Sequence, residues 1–262
     1  MLCPETLSDE AVFESSGTTG QTTSRHYVAD LSVYEESFLS GFRYFYGDPE
    51  EYFFAGLLPS YVERKNSSLV YMVNRLINIS SDPHSGFFIE EVNKMITILQ
   101  SVKKEKRKGI LIGVSFALLD LAEKLAPDLS GIVVVETGGM KGRRKEITRE
   151  ELHLTLKKEF NIQSVHSEYG MTELLSQAWS KGDGLFYCPP WMKIMIRDTG
   201  DPLSILKEYG TTGGINVIDL ANINSCSFIA TGDLGKLYKD GGFEVLGRFD
   251  SSDIRGCNLL IE

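Results

Sequence analysis

The stretch GILIGVSFALLDLAEKLAPDLSGIVVVET, residues 109–137, contains two apolar runs separated by a helical pattern. The runs GILIGV (109–114) and GIVVVET (131–137) are short, apolar and bounded by glycine, as buried strands are. The segment SFALLDLAEKL (115–125) between them has the apolar periodicity of a helix. A strand, helix and strand in this order predict a parallel pair with a crossover helix, and therefore an α/β fold.

The alternation of strands and helices continues on both sides of this unit. EYFFAGLLPSY (51–61) predicts a buried strand, and the patterns over 68–79 and 89–104 predict helices. Segment 164–179 predicts a strand, an exposed turn and then a helix. Together these elements predict layered sheets with crossover helices, forming an α/β core over residues 1–212.

The segment ITREELHLTLKKEF (147–160) carries the clearest helix start in the sequence. Thr148 and Glu151 have the spacing of a capping box, in which each side chain binds the backbone N–H of the other residue. One face of this helix is apolar, which predicts that it packs on the sheet. The apolar stripe consists of Leu152, Leu156 and Phe160.

After residue 212 the pattern changes to short strands divided by turn residues. Asp240-Gly241-Gly242 lies between two strand-like runs and predicts a hairpin. The sequence TGDLG (231–235) predicts a tight turn that carries Asp233. A small β-rich subdomain is therefore expected over residues 213–262.

The composition, with 42% hydrophobic and 24% charged residues among 262, is typical of a globular protein. A net charge of −9 argues against a nucleic-acid partner. The chain has no apolar run of membrane-spanning length and no secretory signal pattern, so no transmembrane segment is expected. The cysteines at positions 3, 188, 226 and 257 lack zinc or disulfide spacing, and a cytoplasmic location with free thiols is expected.

The sequence SSGTTGQTT (15–23) consists almost entirely of hydroxyl residues and glycines. Hydroxyl and backbone N–H donors on a turn that glycine keeps open can surround a phosphate. The loop has neither the lysine of a Walker loop nor the spacing of a dinucleotide-binding loop. It becomes informative through the motifs that follow it, EYGMTE (168–173), TGDLG (231–235) and GRFDSSDIRGCN (247–258).

These motifs supply, in order, a phosphate loop, an aromatic residue, a carboxylate for Mg²⁺, an acid for ribose hydroxyls and a cation. As a set, SSGTTGQTT, YGMTE, TGDLG and GRFDSSDIRG resemble the core motifs of the adenylate-forming superfamily. Within it the chain is most similar to the acyl-protein synthetases of bacterial bioluminescence. The narrower likeness is carried by ETGGMKGRRKE, HSEYGMTELLSQ, CPPWMK and DIRGCN.

The resemblance implies ATP and Mg²⁺ as cofactors and assigns a role to each motif residue. Thr172 would contact the α-phosphate, and Glu173 would bind Mg²⁺. Tyr169, followed by Gly170, would stack on adenine. The β- and γ-phosphates would be held by Ser15, Ser16, Gly17, Thr18, Thr19 and Gly20, the base would pass Gly138 and Gly139, and the ribose would be held by Asp233 and Arg248.

The resemblance further implies attack of a fatty acid on ATP to give an acyl-adenylate, and then transfer of the acyl group to the thiol of Cys257. The family's mobile C-terminal domain and its lysine are expected to be absent, and the chain is expected to be N-terminally short, since 14 residues precede Ser15. Lys141, Arg255 or a neighbouring basic residue (Arg143, Arg144) would then supply the missing cation, and the sequence does not choose between them.

Three outcomes remain open for the acyl group and for the chain. The acyl group would pass from Cys257 to a partner protein, such as a reductase or an acyltransferase. A second reading is release to coenzyme A or another small acceptor. A third is a non-catalytic nucleotide-binding fragment.

Overall fold

The computed structural model describes residues 9–15, 23–59, 64–138 and 147–248. This part of the chain forms a two-stranded ribbon, an eleven-stranded mixed sheet and helices packed against that sheet. The helices are α1 (Leu31–Tyr46), α2 (Ser68–Ile79), α3 (Val92–Lys104), α4 (Ser115–Lys124) and α5 (Arg149–Phe160). The strands are β1 (Ala11–Glu14), β2 (Arg25–Val28), β3 (Tyr52–Leu57), β4 (Gly86–Phe87), β5 (Lys108–Val114), β6 (Val133–Thr137), β7 (His166–Tyr169), β8 (Ala178–Ser180), β9 (Leu185–Tyr187), β10 (Met192–Arg197), β11 (Thr212–Asp219), β12 (Phe228–Leu237) and β13 (Phe243–Arg248).

One half of the large sheet is parallel, in the order β4-β3-β5-β6-β7. The segment 109–137 forms β5, α4 and β6, with Ile112 opposite Val135, so the predicted crossover unit and the α/β fold are confirmed. Strands β3, β5 and β6 are apolar because helices cover the sheet and leave their side chains buried.

The other half is antiparallel, in the order β7-β8-β9-β13-β12-β11-β10. The predicted hairpin joins β12 and β13, and Gly241 at its tip has a φ of +87°, which a residue with a side chain rarely adopts. The expected boundary at 212/213 falls at the first residue of β11, and strands from both sides of it pair in the same sheet. The division into two units stays a prediction.

The helix expected at the end of segment 164–179 is wrong, because β8 lies there instead. Strand β8 pairs antiparallel with β7, with Tyr169 opposite Ala178. The backbone N–H groups of Leu175 and Ser176 donate to the carboxylate of Asp219, at 2.9 and 3.0 Å. Asp219, 43 positions after Ser176 in the chain, therefore anchors the backbone of the segment that leads into β8.

Helix α1 is an element that the sequence patterns above did not identify. Asp30 caps its N-terminus by accepting from the N–H of Ser32 at 2.9 Å. Its buried aromatic residues recur at the four-residue spacing of one helical face, which is the signal that could have revealed it. These residues are Tyr34, Phe38 and Phe42.

The ribbon β1–β2 brackets the hydroxyl loop, since the loop residues connect the two strands. Phe13 on β1 is buried and packs edge-on against Tyr34 of α1, with ring centroids 5.4 Å apart. The N–H of Glu14 donates to the carbonyl of Asn66, just before α2, at 2.7 Å. The ribbon is thereby anchored next to the N-terminus of α2. None of the described helices is both long and apolar enough to cross a bilayer.

Candidate functional site

A cleft of about 1090 Å³ opens at the carboxyl ends of β6 and β7, where the parallel half of the sheet meets the antiparallel half. Ligands of open α/β sheets bind at this end of the strands, and a cleft of this size can hold a ligand larger than a drug-sized molecule. Every expected site residue that the structure describes lines it. These residues are Ser15, Gly138, Tyr169, Gly170, Thr172, Glu173, Asp233 and Arg248.

Tyr169, the last residue of β7, is fixed at the wall of the cleft. Its hydroxyl donates to Asp233 Oδ2 at 2.9 Å, and its ring packs edge-on against Phe243 with centroids 5.7 Å apart. Burial and the neighbouring Asp233 carboxylate raise the pKa of the Tyr169 hydroxyl far above its ordinary value. The hydroxyl therefore stays protonated as a donor, and the ring has one fixed orientation along the cleft.

Asp233 lies within β12, so the expected tight turn at this position is wrong. It faces Arg248 across the β12–β13 pair, and Asp233 Oδ1 is 3.6 Å from Arg248 Nε. The Arg248 side chain is 78% exposed whereas that of Asp233 is 17% exposed. An ion pair with one exposed partner contributes little to stability, so Arg248 can leave Asp233 for a ligand at low cost.

Gly170 follows Tyr169 and lies close to the side chain of Glu168. A Cβ on this residue would overlap the carboxylate of Glu168. That carboxylate is held in place, because the hydroxyl of Thr137 donates to Glu168 Oε2 at 2.6 Å. The backbone of the turn thus comes close to the end of β6.

The sequence patterns predicted a helix starting near Thr172 and Glu173. In the structure both residues lie in a turn instead. The carbonyl of Thr172 accepts from His26 Nδ1 at 2.9 Å, and the carbonyl of Glu173 accepts from Asn222 Nδ2 at 2.7 Å. Asp219 holds the following N–H groups. The backbone of the turn is therefore anchored, and both residues line the cleft.

The two ends of the hydroxyl loop are described and are pinned together. The N–H of Ser15 donates to the carbonyl of Ser24 at 3.0 Å, and the N–H of Ser24 donates to Ser15 Oγ at 2.9 Å. The loop therefore begins and ends at the wall of the cleft. The remaining expected loop residues, Ser16, Gly17, Thr18, Thr19 and Gly20, lie outside the described residues.

Gly138 ends β6 at the cleft with a φ of +69°, a left-handed conformation that favours glycine. Its carbonyl accepts from the hydroxyl of Ser115, at the start of α4. This contact ties the end of β6 to its neighbouring crossover helix. The other expected residues of this segment, Gly139 and Lys141, lie outside the described residues.

A buried charged group that the sequence patterns missed lies in the lining of the cleft. Glu136 on β6 is only 5% exposed, and its Oε1 lies 3.3 Å from Arg149 Nε and 3.7 Å from His153 Nε2. Burial alone would raise the pKa of the Glu136 carboxyl, but the adjacent His153 ring and the charge of Arg149 hold that pKa below its ordinary value. A charged residue at the end of an apolar strand is the signal that could have revealed it.

Arg149 joins the two halves of the sheet at the back of the cleft. One guanidinium nitrogen binds Glu136 of β6, and another donates to the carbonyl of Val245 on β13 at 2.8 Å. The guanidinium carbon lies 5.1 Å from the centre of the Phe186 ring on β9. Arg149 therefore holds the wall that carries Asp233 and Arg248 against the strand that carries Gly138.

Two more cations line the cleft near the N-terminus of α2. Arg64 and Lys65 precede that helix and are exposed, and Ser67 caps the helix by accepting from the N–H of Val70. A helix N-terminus favours anions, as do the two side chains. With Arg248, which is exposed and weakly paired, they give an anionic ligand three cationic partners.

The described cysteines lie outside the lining of the cleft. Cys188 is half-buried, and burial raises the pKa of its thiol to about 12, so it stays a thiol. The thiol of Cys226 contacts the carbonyl of Phe228 at 3.1 Å and lies in the connection before β12 rather than in a strand. Cys257 and Arg255 lie outside the described residues.

The described residues contain no group of three or more His, Cys, Asp or Glu side chains that could hold a metal ion. Glu173 contributes one carboxylate from the turn to the cleft. Mg²⁺ characteristically binds one or two carboxylates together with substrate phosphates and water. The donor set therefore fits a Mg²⁺ ion that arrives with a nucleotide rather than a resident metal ion.

The fold is that of the N-terminal domain of adenylate-forming enzymes. ATP-bound MatB from Rhodopseudomonas palustris matches with a TM-score of 0.64 and 17% identity, covering 91% of this chain and 48% of that chain. The amide bond synthetase McbA from Marinactinospora thermotolerans matches with a TM-score of 0.60 and 18% identity, covering 90% and 48%. O-succinylbenzoate coenzyme A synthetase (MenE) from Bacillus subtilis, in complex with AMP, matches with a TM-score of 0.57 and 19% identity, covering 94% and 50%.

The chain spans about half the length of these solved structures. No family model and no curated protein matches it. At these identities the likeness concerns the fold.

Proposed function

We propose that the chain activates a carboxylic acid with ATP and transfers the resulting acyl group to the thiol of Cys257. In the first step the carboxylate attacks the α-phosphorus, and the bond to the β-phosphate breaks. The products are an acyl-adenylate and pyrophosphate. In the second step the Cys257 thiolate attacks the acyl carbonyl, and AMP leaves as the thioester forms.

The observation that carries the proposal is the single cleft lined by all eight described residues of the expected nucleotide site. They come from parts of the chain as far apart as Ser15 and Arg248 and are brought together by the fold. Residues collected by chance would be scattered over the surface. The fold likeness to ATP-bound and AMP-bound enzymes supports the same assignment.

In the proposed complex the adenine lies along Tyr169, and Gly138 leaves room for the base. Asp233 accepts from a ribose hydroxyl, and Arg248 moves to a neighbouring oxygen. Thr172 donates to the α-phosphate, and the loop from Ser15 to Gly20 holds the β- and γ-phosphates. In this proposed arrangement the α-phosphorus would lie beside the turn that carries Thr172, and the acid would attack it there.

Charge neutralisation dominates the first step, since both reactants are anions. Glu173 would hold a Mg²⁺ ion that arrives with the nucleotide, and the ion would supply Lewis-acid stabilisation of the phosphate oxygens. Arg64, Lys65 and the expected cations Lys141 and Arg255 are the candidates to stabilise the approaching carboxylate and the departing pyrophosphate. Preorganised cations of this kind lower the barrier because they need not reorganise during the reaction.

For the acid we propose a long-chain fatty acid, as in the acyl-protein synthetases that the motifs resemble. The apolar segments 115–119 and 191–196 are part of the protein core and do not line the cleft. The proposed acyl chain therefore extends past Leu69 and Met72 of α2, which do line it. The final acceptor would be a reductase or an acyltransferase in the cytoplasm.

The test is incubation of the purified chain with labelled tetradecanoate, ATP and Mg²⁺, followed by a denaturing gel with and without hydroxylamine. We expect a protein-bound label that hydroxylamine removes and that Cys257→Ser abolishes. The matched control is Cys226→Ser, which removes a described cysteine outside the cleft and should keep the label. Acid-dependent exchange of pyrophosphate into ATP should persist in both variants.

The other outcomes of this experiment separate the alternatives. Pyrophosphate exchange without acyl label on the protein, together with formation of acyl-coenzyme A when coenzyme A is added, would show that the acyl acceptor is a small molecule and not Cys257. Absence of both label and exchange, with ATP still bound, would identify a nucleotide-binding chain without catalysis.

A further inference from the structure

His26 lies on β2, three residues after Thr23 at the end of the hydroxyl loop, and it is 5% exposed. We infer that His26 is a positioning residue that fixes the hydroxyl loop relative to the turn carrying Thr172 and Glu173. The inference rests on the proposed function, because the loop and the turn are its two phosphate-binding elements. It assigns to His26 a role that the motifs do not contain.

Both ring nitrogens of His26 are engaged by segments far away in the chain. Nδ1 lies 2.9 Å from the carbonyl of Thr172, and Nε2 lies 3.0 Å from Ser225 Oγ. A carbonyl only accepts, so Nδ1 carries the proton and Nε2 of the neutral ring accepts from the hydroxyl. Burial lowers the pKa of His26 from its ordinary value, which keeps the ring in this neutral form.

Ser225, the second partner of His26, is connected by hydrogen bonds to the turn that carries Thr172 and Glu173. The N–H of Ser225 donates to the carbonyl of Asn222, and Asn222 Nδ2 donates to the carbonyl of Glu173. His26, Ser225 and Asn222 thus form one chain of hydrogen bonds that holds two consecutive carbonyls. We call these three residues the clasp.

The clasp matters because the loop and the turn belong to different sheets. The ribbon β1–β2 is a separate two-stranded sheet, while the turn follows β7 of the large sheet. In the proposed reaction the ribbon positions the β- and γ-phosphates and the turn positions the α-phosphate. A misplacement of about 1 Å between such groups can cost about 100-fold in rate.

Three substitutions distinguish the hydrogen bonds of the clasp from the contribution of His26 to packing. His26→Leu removes both hydrogen bonds but keeps an apolar side chain in the buried position. His26→Asn restores a donor at the position of Nδ1 and therefore the bond to Thr172. Val28→Ala is the matched control, because Val28 is buried on the same strand and the same side and takes no part in the clasp.

The experiment measures kcat and KM for ATP in acid-dependent pyrophosphate exchange, together with direct binding of MgATP and of AMP. We expect His26→Leu to lower kcat by about 100-fold and to weaken MgATP binding, while AMP, which lacks the β- and γ-phosphates, binds as before. His26→Asn should recover most of kcat. Val28→Ala should lower the thermal midpoint without changing kcat or the preference for MgATP over AMP.

Unchanged kcat in His26→Leu, in an otherwise active chain, would overturn the inference and leave the proposed function standing. Equal losses of kcat in His26→Leu, His26→Asn and Val28→Ala would also overturn it, because they would show that kcat depends only on the stability of the fold. If the unaltered chain exchanges no pyrophosphate, the proposed function fails. The binding measurements then decide the inference. Weaker MgATP binding by His26→Leu, with AMP binding unchanged, supports it, and the same MgATP affinity in His26→Leu and the unaltered chain overturns it.

Discussion

His166 shows how one residue beside the site couples the fold to pH. It lies on β7, three residues before Tyr169, and its Nδ1 is 3.1 Å from the hydroxyl of Tyr46. Burial, together with the positive charge of Lys181, lowers its pKa from 6.5 to about 4. The folded chain therefore keeps this ring neutral over a pH range in which the unfolded chain protonates it.

The sign of the resulting pH dependence follows from proton binding. Between pH 6.5 and about 4 the unfolded state binds one proton more than the folded state at His166, so the free energy of unfolding falls as the pH falls. The contribution is complete above pH 6.5 and is lost as the pH decreases toward 4. Its slope is at most about 1.4 kcal/mol per pH unit, and solvent screening of the half-buried ring reduces it.

We predict that His166→Gln flattens the pH dependence of stability between pH 6.5 and 4. The measurement is urea unfolding at a series of pH values, for the unaltered chain and the variant. His84→Gln, which removes an exposed histidine, controls for the loss of an imidazole as such. Parallel curves for the unaltered chain and His166→Gln would show that the ring titrates alike in the folded and unfolded states.

At the scale of elements, the turn between β7 and β8 depends on a residue of another strand. Asp219 at the end of β11 is fully buried and accepts four hydrogen bonds, three of them from residues of the turn. The donors are Leu175 N, Ser176 N, Ser176 Oγ and Ala221 N. Hydrogen bonds to a buried charge are stronger than neutral ones, and an unsatisfied buried donor is costly.

We predict that Asp219→Asn lowers the free energy of unfolding by about 3 kcal/mol. The NH₂ group of asparagine would face N–H and O–H donors that now bind a carboxylate oxygen, and those donors would lose their acceptor. The control is Asp240→Asn in the β12–β13 hairpin, where an exposed carboxylate accepts from Tyr187 and Gly242. We expect that variant to cost less than about 1 kcal/mol. Equal losses in the two variants, measured by chemical denaturation, would contradict the special role of Asp219.

Local signals explain which elements the sequence could predict. The capping box of Thr148 and Glu151 is present in the structure, and so is the buried stripe of α5, because both depend on neighbours within a few residues. The turn after Tyr169 was predicted, but the helix expected after it was wrong, because β8 pairs with β7 there and the segment before β8 is held by Asp219, which is distant in the chain. Asp233 was placed in a turn because its glycine neighbours are typical of turns, whereas pairing with β13 extends β12 through it.

The candidate site divides in the same way. The motif residues were predicted because nucleotide chemistry requires certain residue types in a certain order. Glu136 and Arg149 were missed because their importance comes from burial and from an ion pair between β6 and α5. His26 lies beside the loop in the sequence, but its partners, Thr172 and Ser225, are distant in the chain and contact it only in the folded protein.

At the scale of the whole molecule, the mixed sheet joins parts of the chain that the sequence separates at 212/213. Strands β11, β12 and β13 pair with one another, with β10 and with β9. They also share an apolar cluster with earlier strands, in which Ile215 and Phe243 pack with Phe186 and Ile194. The cleft needs this union, since Tyr169 and Asp233 come from opposite sides of the boundary.

We therefore predict one cooperative unfolding transition. Ile215→Ala after the boundary and Leu118→Ala before it each remove a fully buried side chain and should each cost about 2–5 kcal/mol. If the chain unfolds as one unit, both variants shift the same transition, followed by tryptophan fluorescence and by far-ultraviolet circular dichroism. If residues 213–262 formed an independent unit, two unfolding transitions would be seen. Ile215→Ala would then shift only the transition of residues 213–262, and Leu118→Ala would shift only the other. The shared sheet and apolar cluster favour the first result, because strands β11–β13 alone would lose their backbone pairing with β9 and β10 and the apolar partners in that cluster.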